Sequence, residues 1–134
     1  MQNIIWEKCQ SELMTPQNNP ESDDLLTVHE IKVRIVKEFL DLIILIYLRN
    51  NEGLSGYDLV VTLNQKFRFA LSPGTVYAAL YAMERKGFVK SEKVAKKTSF
   101  SLTQKGLKRI EKFKESREDL TAFMECVFPM VFQP

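Results

Sequence analysis

Histidine is almost missing from this chain, and cysteine nearly so. Its 134 residues include one histidine, His29, and two cysteines, Cys9 and Cys126. Two thiols exclude a disulfide scaffold and point to a reducing compartment. No metal-ligand spacing links the histidine to either cysteine, so no metal site is expected and His29 reads as a structural or surface residue. Cys126 falls near an apolar helical seam, which favours a buried thiol over a redox sensor. The patterns of catalysis are lacking too: there is no glycine-rich phosphate loop, no nucleophile elbow and no second histidine to act as a base. The acidic pairs Asp23–Asp24 and Glu118–Asp119 read as loop and helix surface, not as carboxylates opposed across a cleft. An enzyme is the least expected class, and no cofactor is implied. Long apolar runs are missing as well. The most apolar stretch, Phe39 to Leu48, is broken by Asp41 and spans ten residues, against the ~20 that a membrane-spanning helix needs. Glu7 and Lys8 stand where a signal peptide would place its apolar stretch, and no basic run precedes them. The expectation is a cytoplasmic protein with no membrane partner.

What is present is globular in composition, 45% hydrophobic and 27% charged, and a chain of this length buries a core without staples. The net charge of +2 conceals a strong polarity. Residues 1–30 carry −5, residues 31–84 carry +1, residues 85–114 carry +9 and residues 115–134 carry −3. One thirty-residue stretch therefore holds the whole positive field. The segment 15–24, with two prolines and three acids, reads as a linker. Before it, Ile4 to Met14 has the pattern of a short amphipathic helix, with Trp6 and Leu13 seeking a partner.

Capping chemistry predicts four helices. Thr27 and Glu30 form a capping-box pattern that opens a helix running to about Asn50. Ser55 and Asp58 form a second, opening a helix to about Phe67. Ser72 followed by Pro73 opens a third, which runs to Lys86 and stops at Gly87. Thr103 caps a fourth, long helix. Between Gly87 and Thr103 the apolar period shortens to two, so Phe88–Lys93 and Thr98–Leu102 read as strands joined through Val94–Lys97.

Helix, short turn, helix and basic hairpin is the plan of a winged helix-turn-helix. The fold class expected is mainly α with a small β-hairpin and a long C-terminal dimerisation helix. The domains are expected at 1–26 (acidic extension and linker), 27–103 (DNA-binding domain) and 104–134 (dimerisation helix and apolar tail). In such a motif the helix Ser72–Lys86 enters the major groove of double-stranded DNA and the hairpin tip, with Lys96 and Lys97, meets phosphates or the minor groove. Val76, Leu80 and Met83 should face the core. Gly74, Thr75, Ala78, Tyr81, Ala82 and Arg85 lie on the opposite face, small at its start and ending in a guanidinium. Ser55, Tyr57 and Ser72 mark helix N-termini that suit phosphate oxygens. For Tyr77 and Tyr81 two readings stay open, DNA contact or packing.

In the last helix Ile110, Phe113, Leu120, Met124 and Val127 recur at alternating three- and four-residue steps. This is either an intramolecular core or a dimer seam, and the apolar tail favours the seam. With Trp6 and Phe123 added, these residues are the expected dimerisation set. Two copies would present recognition helices to half-sites roughly 34 Å apart. A small aromatic effector held near Trp6 or Phe123 is conceivable, but no spacing demands it. A further expectation is that the −5 N-terminal segment lies near the +9 region and competes with DNA.

At these same residues the chain resembles a known family. Leu71-Ser72-Pro73-Gly74-Thr75-Val76-Tyr77-Ala78-Ala79-Leu80, followed by Met83-Glu84-Arg85-Lys86-Gly87-Phe88-Val89, is similar to the signature of PadR-type transcriptional regulators. Ser55-Gly56-Tyr57-Asp58-Leu59 resembles that family's second-helix start, and Ser101-Leu102-Thr103-Gln104-Lys105-Gly106 its junction between wing and C-terminal helix. The blocks cover about residues 38–115. The chain departs from the pattern at Ala78, where the family usually has proline, and at Ser99-Phe100, where paired tyrosines are common. The resemblance implies a dimeric, cytosolic DNA-binding repressor whose C-terminal helix, often with an N-terminal segment, makes the dimer. Against it stand a protein-interaction adaptor built on a winged helix and a MarR-like regulator, which the Ser-Pro-Gly-Thr-x-Tyr run disfavours.

Overall fold

A computed structural model describes residues 28–68 and 71–132. Its first two helices, α1 (Val28–Glu38) and α2 (Leu40–Asn50), occupy the span expected of a single helix. The break is a kink at Phe39, whose φ of −98° and ψ of 14° leave helical geometry. Hydrogen bonding carries through it: the Phe39 amide donates to Ile35 O at 3.1 Å and the Ile43 amide to Phe39 O at 3.0 Å. Asp41 accepts from the amide of its neighbour Leu42 at 2.8 Å, the kind of local bond by which aspartate competes with a helix ladder. Thr27, the expected cap, lies outside the described residues.

Gly53, at φ 75°, turns the chain into a strand that the sequence pattern did not reveal, β1 (Leu54–Ser55). Two residues are too few to show alternation. Helix α3 (Gly56–Phe67) follows, then α4 (Pro73–Arg85), β2 (Val89–Val94) and β3 (Lys97–Leu102). The sheet order is β1-β3-β2, antiparallel throughout, with Leu54 opposite Phe100 and Val94 opposite Lys97. The hairpin is tighter than expected: its strands reach Val94 and Lys97, leaving Ala95 and Lys96 as the turn. Ala95 holds φ 57° there, at a cost of order 1 kcal/mol for a residue with a Cβ.

The long last helix is also two, α5 (Gln104–Glu115) and α6 (Arg117–Phe132). Between them Ser116 turns its hydroxyl onto Lys112 O at 2.9 Å, a back-bond that bends helices. The ladder continues across it, since the Leu120 amide reaches Ser116 O at 3.0 Å.

The core is built from Ile44, Leu45, Leu59, Leu63, Val76, Leu80 and Phe100, all fully buried. Val76, Leu80 and Met83 face inward as their spacing requires. Ile110 joins the same core at 1% exposure. It is therefore interior to the domain and does not present its side chain to a second chain. The core accordingly extends into α5. Cys126 is likewise not where its seam position suggested, because its thiol is exposed. The reason is shared: the core closes at α5, and none of the described side chains of α6 is buried.

Candidate nucleic-acid interface

The helix-turn-helix pair is α3 and α4, and each start is capped as its residues dictate. The Asp58 amide donates to Ser55 Oγ at 3.0 Å, and the Ser55 amide donates to Asp58 Oδ2 at 3.2 Å. Hydrogen bonding to the carboxyl from Ser55, its hydroxyl first and its backbone amide second, holds Asp58 below the ordinary carboxylate range. The positive charge of Lys97, from the wing strand β3, adds to that shift, while desolvation opposes it. Ser55 itself is buried, so its hydroxyl serves the cap and only the helix end it caps is left for a phosphate. At the start of α4 the Thr75 amide donates to Ser72 Oγ at 3.2 Å, and the two hydroxyls lie 2.7 Å apart. Ser72 is exposed and Thr75 half-buried.

The outer face of α4 carries Gly74, Ala78, Tyr81 and Arg85, all exposed. A Cβ added at Gly74 would meet nothing within 4 Å. Tyr57, at the start of α3, is 69% exposed. Tyr77 differs from these: it is half-buried and its ring lies where a side chain on Gly56 would stand. It stacks on Tyr81 with centroids 6.2 Å apart, and Tyr81 meets Phe100 edge-on at 6.3 Å. Tyr77 thus packs α4 onto the glycine at the head of α3. Tyr81 bridges α4 to the wing while staying 47% exposed.

The turn between the helices is held by a residue that the sequence pattern did not flag. Asn64 Oδ1 accepts from the Leu71 amide at 2.7 Å, and Asn64 Nδ2 donates to Leu71 O at 3.3 Å. Asn64 lies seven residues before its partner, and no local rule links an asparagine in a last helical turn to a backbone across a loop. The preceding helix ends on Arg68 in the left-handed region, at φ 55°.

All eleven basic residues of the segment 85–114 are exposed, Lys96 and Lys97 at the wing among them. Phe113, Met124 and Val127 are half-buried, whereas Leu120 and Phe123 are exposed at 40% and 64%. Trp6 and the acidic extension lie outside the described residues. Among the described residues no group of three or more histidine, cysteine or acidic side chains is placed to hold a metal ion. No helix among them is long and apolar enough to cross a membrane.

Comparison with known proteins agrees with this geometry. The family model of PadR-like transcriptional regulators matches residues 44–112. The transcriptional activator GvpE1 of Halobacterium salinarum is 33% identical over 76 residues, 57% of this chain and 40% of that protein. The chain therefore spans less than half the length of this curated relative. A PadR-like transcriptional regulator of Bacillus cereus shares the fold with a TM-score of 0.60 at 24% identity, over 71% of this chain and 96% of that one. A PadR family regulator of Eggerthella lenta does so with a TM-score of 0.62 at 20% identity, over 80% and 94%.

Proposed function

The chain belongs to the PadR-like family of transcriptional regulators, a DNA-binding family, and from that premise we propose that it is a sequence-specific regulator that grips duplex DNA as a homodimer. Helix α4 is the recognition helix. The observation that carries this reading is its division into two faces: Val76, Leu80 and Met83 sit in the core, while Gly74, Ala78, Tyr81 and Arg85 are open. Arg85 and Thr75 read bases, with Tyr81 at the margin next to the wing, and Lys96 and Lys97 hold phosphates. The ends of α3 and α4 at Ser55 and Ser72 supply backbone amides to the phosphates, with Tyr57 beside them. Tyr77 acts by holding α4 in place.

The second copy docks on the apolar stripe of α6, through Leu120, Phe123, Met124 and Val127, of which one copy leaves the first two exposed and the last two half-buried. Phe113 extends that stripe, and Trp6 lies in the N-terminal segment expected to join it. The partition of the chain is then a DNA-binding body through α5 and a dimerising α6. A small aromatic effector would lie between the two copies near Phe123. The site of action is the cytoplasm. Repression by occupancy is the proposed direction, although the halobacterial relative bears the name of an activator.

The test is to select bound fragments from random duplex DNA and titrate the selected duplex with salt. Enrichment of paired half-sites roughly 34 Å apart is expected, with an affinity that falls steeply as salt rises. No enrichment, or an affinity flat between low and moderate salt, would sink the reading. A reporter driven from the selected site separates repression from activation.

A further inference from the structure

The end of the recognition helix is fastened to the start of α5 by three successive carbonyls. Helix α4 closes on itself first: the Gly87 amide donates to Glu84 O at 3.0 Å and the Phe88 amide to Met83 O at 2.9 Å. This is a Schellman closure, with Gly87 at φ 82°. It leaves the carbonyls of Lys86, Gly87 and Phe88 pointing onward, and α5 takes all three. Lys105 Nζ donates to Lys86 O at 2.7 Å. Thr103 Oγ1 donates to Gly87 O. The Thr103 amide donates to Phe88 O at 3.1 Å. Gly106 lies against Phe88 O so closely that a Cβ there would collide with it. The Lys105 stem passes beside Gly87, and its ammonium stands 5.1 Å over the Phe88 ring, with the Arg109 guanidinium at 4.7 Å.

From this arrangement, and resting on the proposed reading of α4 as the recognition helix, we infer that Lys105 is a positioning residue for DNA recognition. Its charge is committed to the negative end of α4 and to an aromatic face, not to a phosphate. Arg85, the base-reading guanidinium, immediately precedes the carbonyl that Lys105 holds. Release of that carbonyl lets the last turn of α4 shift and moves Arg85 relative to the groove. Contacts that depend on register are then lost, whereas contacts that depend only on charge survive. The same lock makes α4 follow α5, so the spacing of two recognition helices in a dimer is set through residues 103–106.

The experiment uses the full chain with Lys105→Met, Lys105→Gln and Lys105→Arg, the duplex selected by the wild-type protein, and a scrambled duplex of the same length. Lys105→Met should weaken binding to the selected duplex about tenfold, as expected for loss of a charged hydrogen bond, with little change on the scrambled one and an unchanged salt slope. Lys105→Gln and Lys105→Arg, which keep a donor for Lys86 O, should restore most of the discrimination. A different pattern overturns the inference: equal losses on both duplexes with glutamine no better than methionine, and a salt slope smaller by about 0.9, the mark of a phosphate contact. Unchanged affinities for Lys105→Met overturn it too. If thermal melting shows that Lys105→Met does not fold, glutamine decides alone: a partial loss of discrimination with an unchanged slope supports the role, and full wild-type discrimination or a reduced slope overturns it. Failure of the wild-type protein to bind any duplex strikes the proposed function itself, and this inference with it.

Discussion

Single residues at this interface divide into those that build it and those left open on it. Asp58 builds. Its carboxyl is held below the ordinary range by Ser55, so the ionised form is the one the folded state favours. A depressed folded-state pKa gives stability that is present above the unfolded value and is lost as pH falls through the folded one. Asp58→Asn should therefore melt lower than wild type at neutral pH, and the gap should close as pH falls below the ordinary carboxylate range and the wild-type carboxyl is protonated. Melting curves across pH check this; a constant gap would mean that the charge is irrelevant. Gly74 is the open kind. With nothing near its absent Cβ, Gly74→Ala should stabilise the fold by about 0.4–1 kcal/mol, because it narrows the unfolded ensemble. If α4 meets DNA closely at its start, the same change should weaken duplex binding severalfold, and the pair of measurements separates function from packing. Gly106 is the opposite case. Alanine there meets a backbone carbonyl that cannot swing aside, and a loss toward the upper end of about 1–3 kcal/mol is expected in urea titration.

Among the elements, helix starts were legible because they are written in residues three apart. The Ser55, Ser72 and Thr103 caps all stand where the spacing placed them. Ends and breaks were less so. The break at Ser116 goes with a back-bond to Lys112 O and that at Phe39 with a local bond at Asp41, and periodicity does not carry that information. The strand β1 exists because β3 is there to pair with it. Asn64 belongs to this scale as well, since it joins α3 to the head of α4. Asn64→Ala strips two hydrogen bonds from the Leu71 backbone and should cost about 1–3 kcal/mol. Selected-duplex affinity should fall further than scrambled-duplex affinity, because the crossing of the two helices loosens. An equal fall on both, read by gel shift, would assign Asn64 to stability only.

For the whole molecule, the question is what covers α6. Several of its apolar side chains are exposed in one copy, Phe123 at 64% and Met130 at 76%, and an isolated amphipathic helix end of this kind is marginal in water. Phe123→Glu should leave the winged-helix body folded, since Phe123 contributes nothing to its core, while shifting the protein to a monomer in sedimentation. A dimer that persists through this change would place the seam elsewhere. The charge map is also a property of the whole. The net +2 arises from regions of opposite sign, and the eleven basic side chains of residues 85–114 all reach solvent. They do not share one task. Lys105 and Arg109 lie over Phe88, and the charge of Lys97 reaches the Asp58 carboxyl through space.

The sequence by itself determined the helix-turn-helix and hairpin, the caps, the two faces of α4 and the family, because each depends on residues close together along the chain. The tertiary structure decided which residues of a periodic stripe are interior. Ile110 and Leu120 stand in the same apolar pattern, yet one is sealed at 1% exposure and the other open at 40%. It also decided which polar side chains work on the protein's own backbone, as Asn64 and Lys105 do. Both depend on the distance between segments far apart in the chain, and local pattern holds no record of that distance until the core has closed.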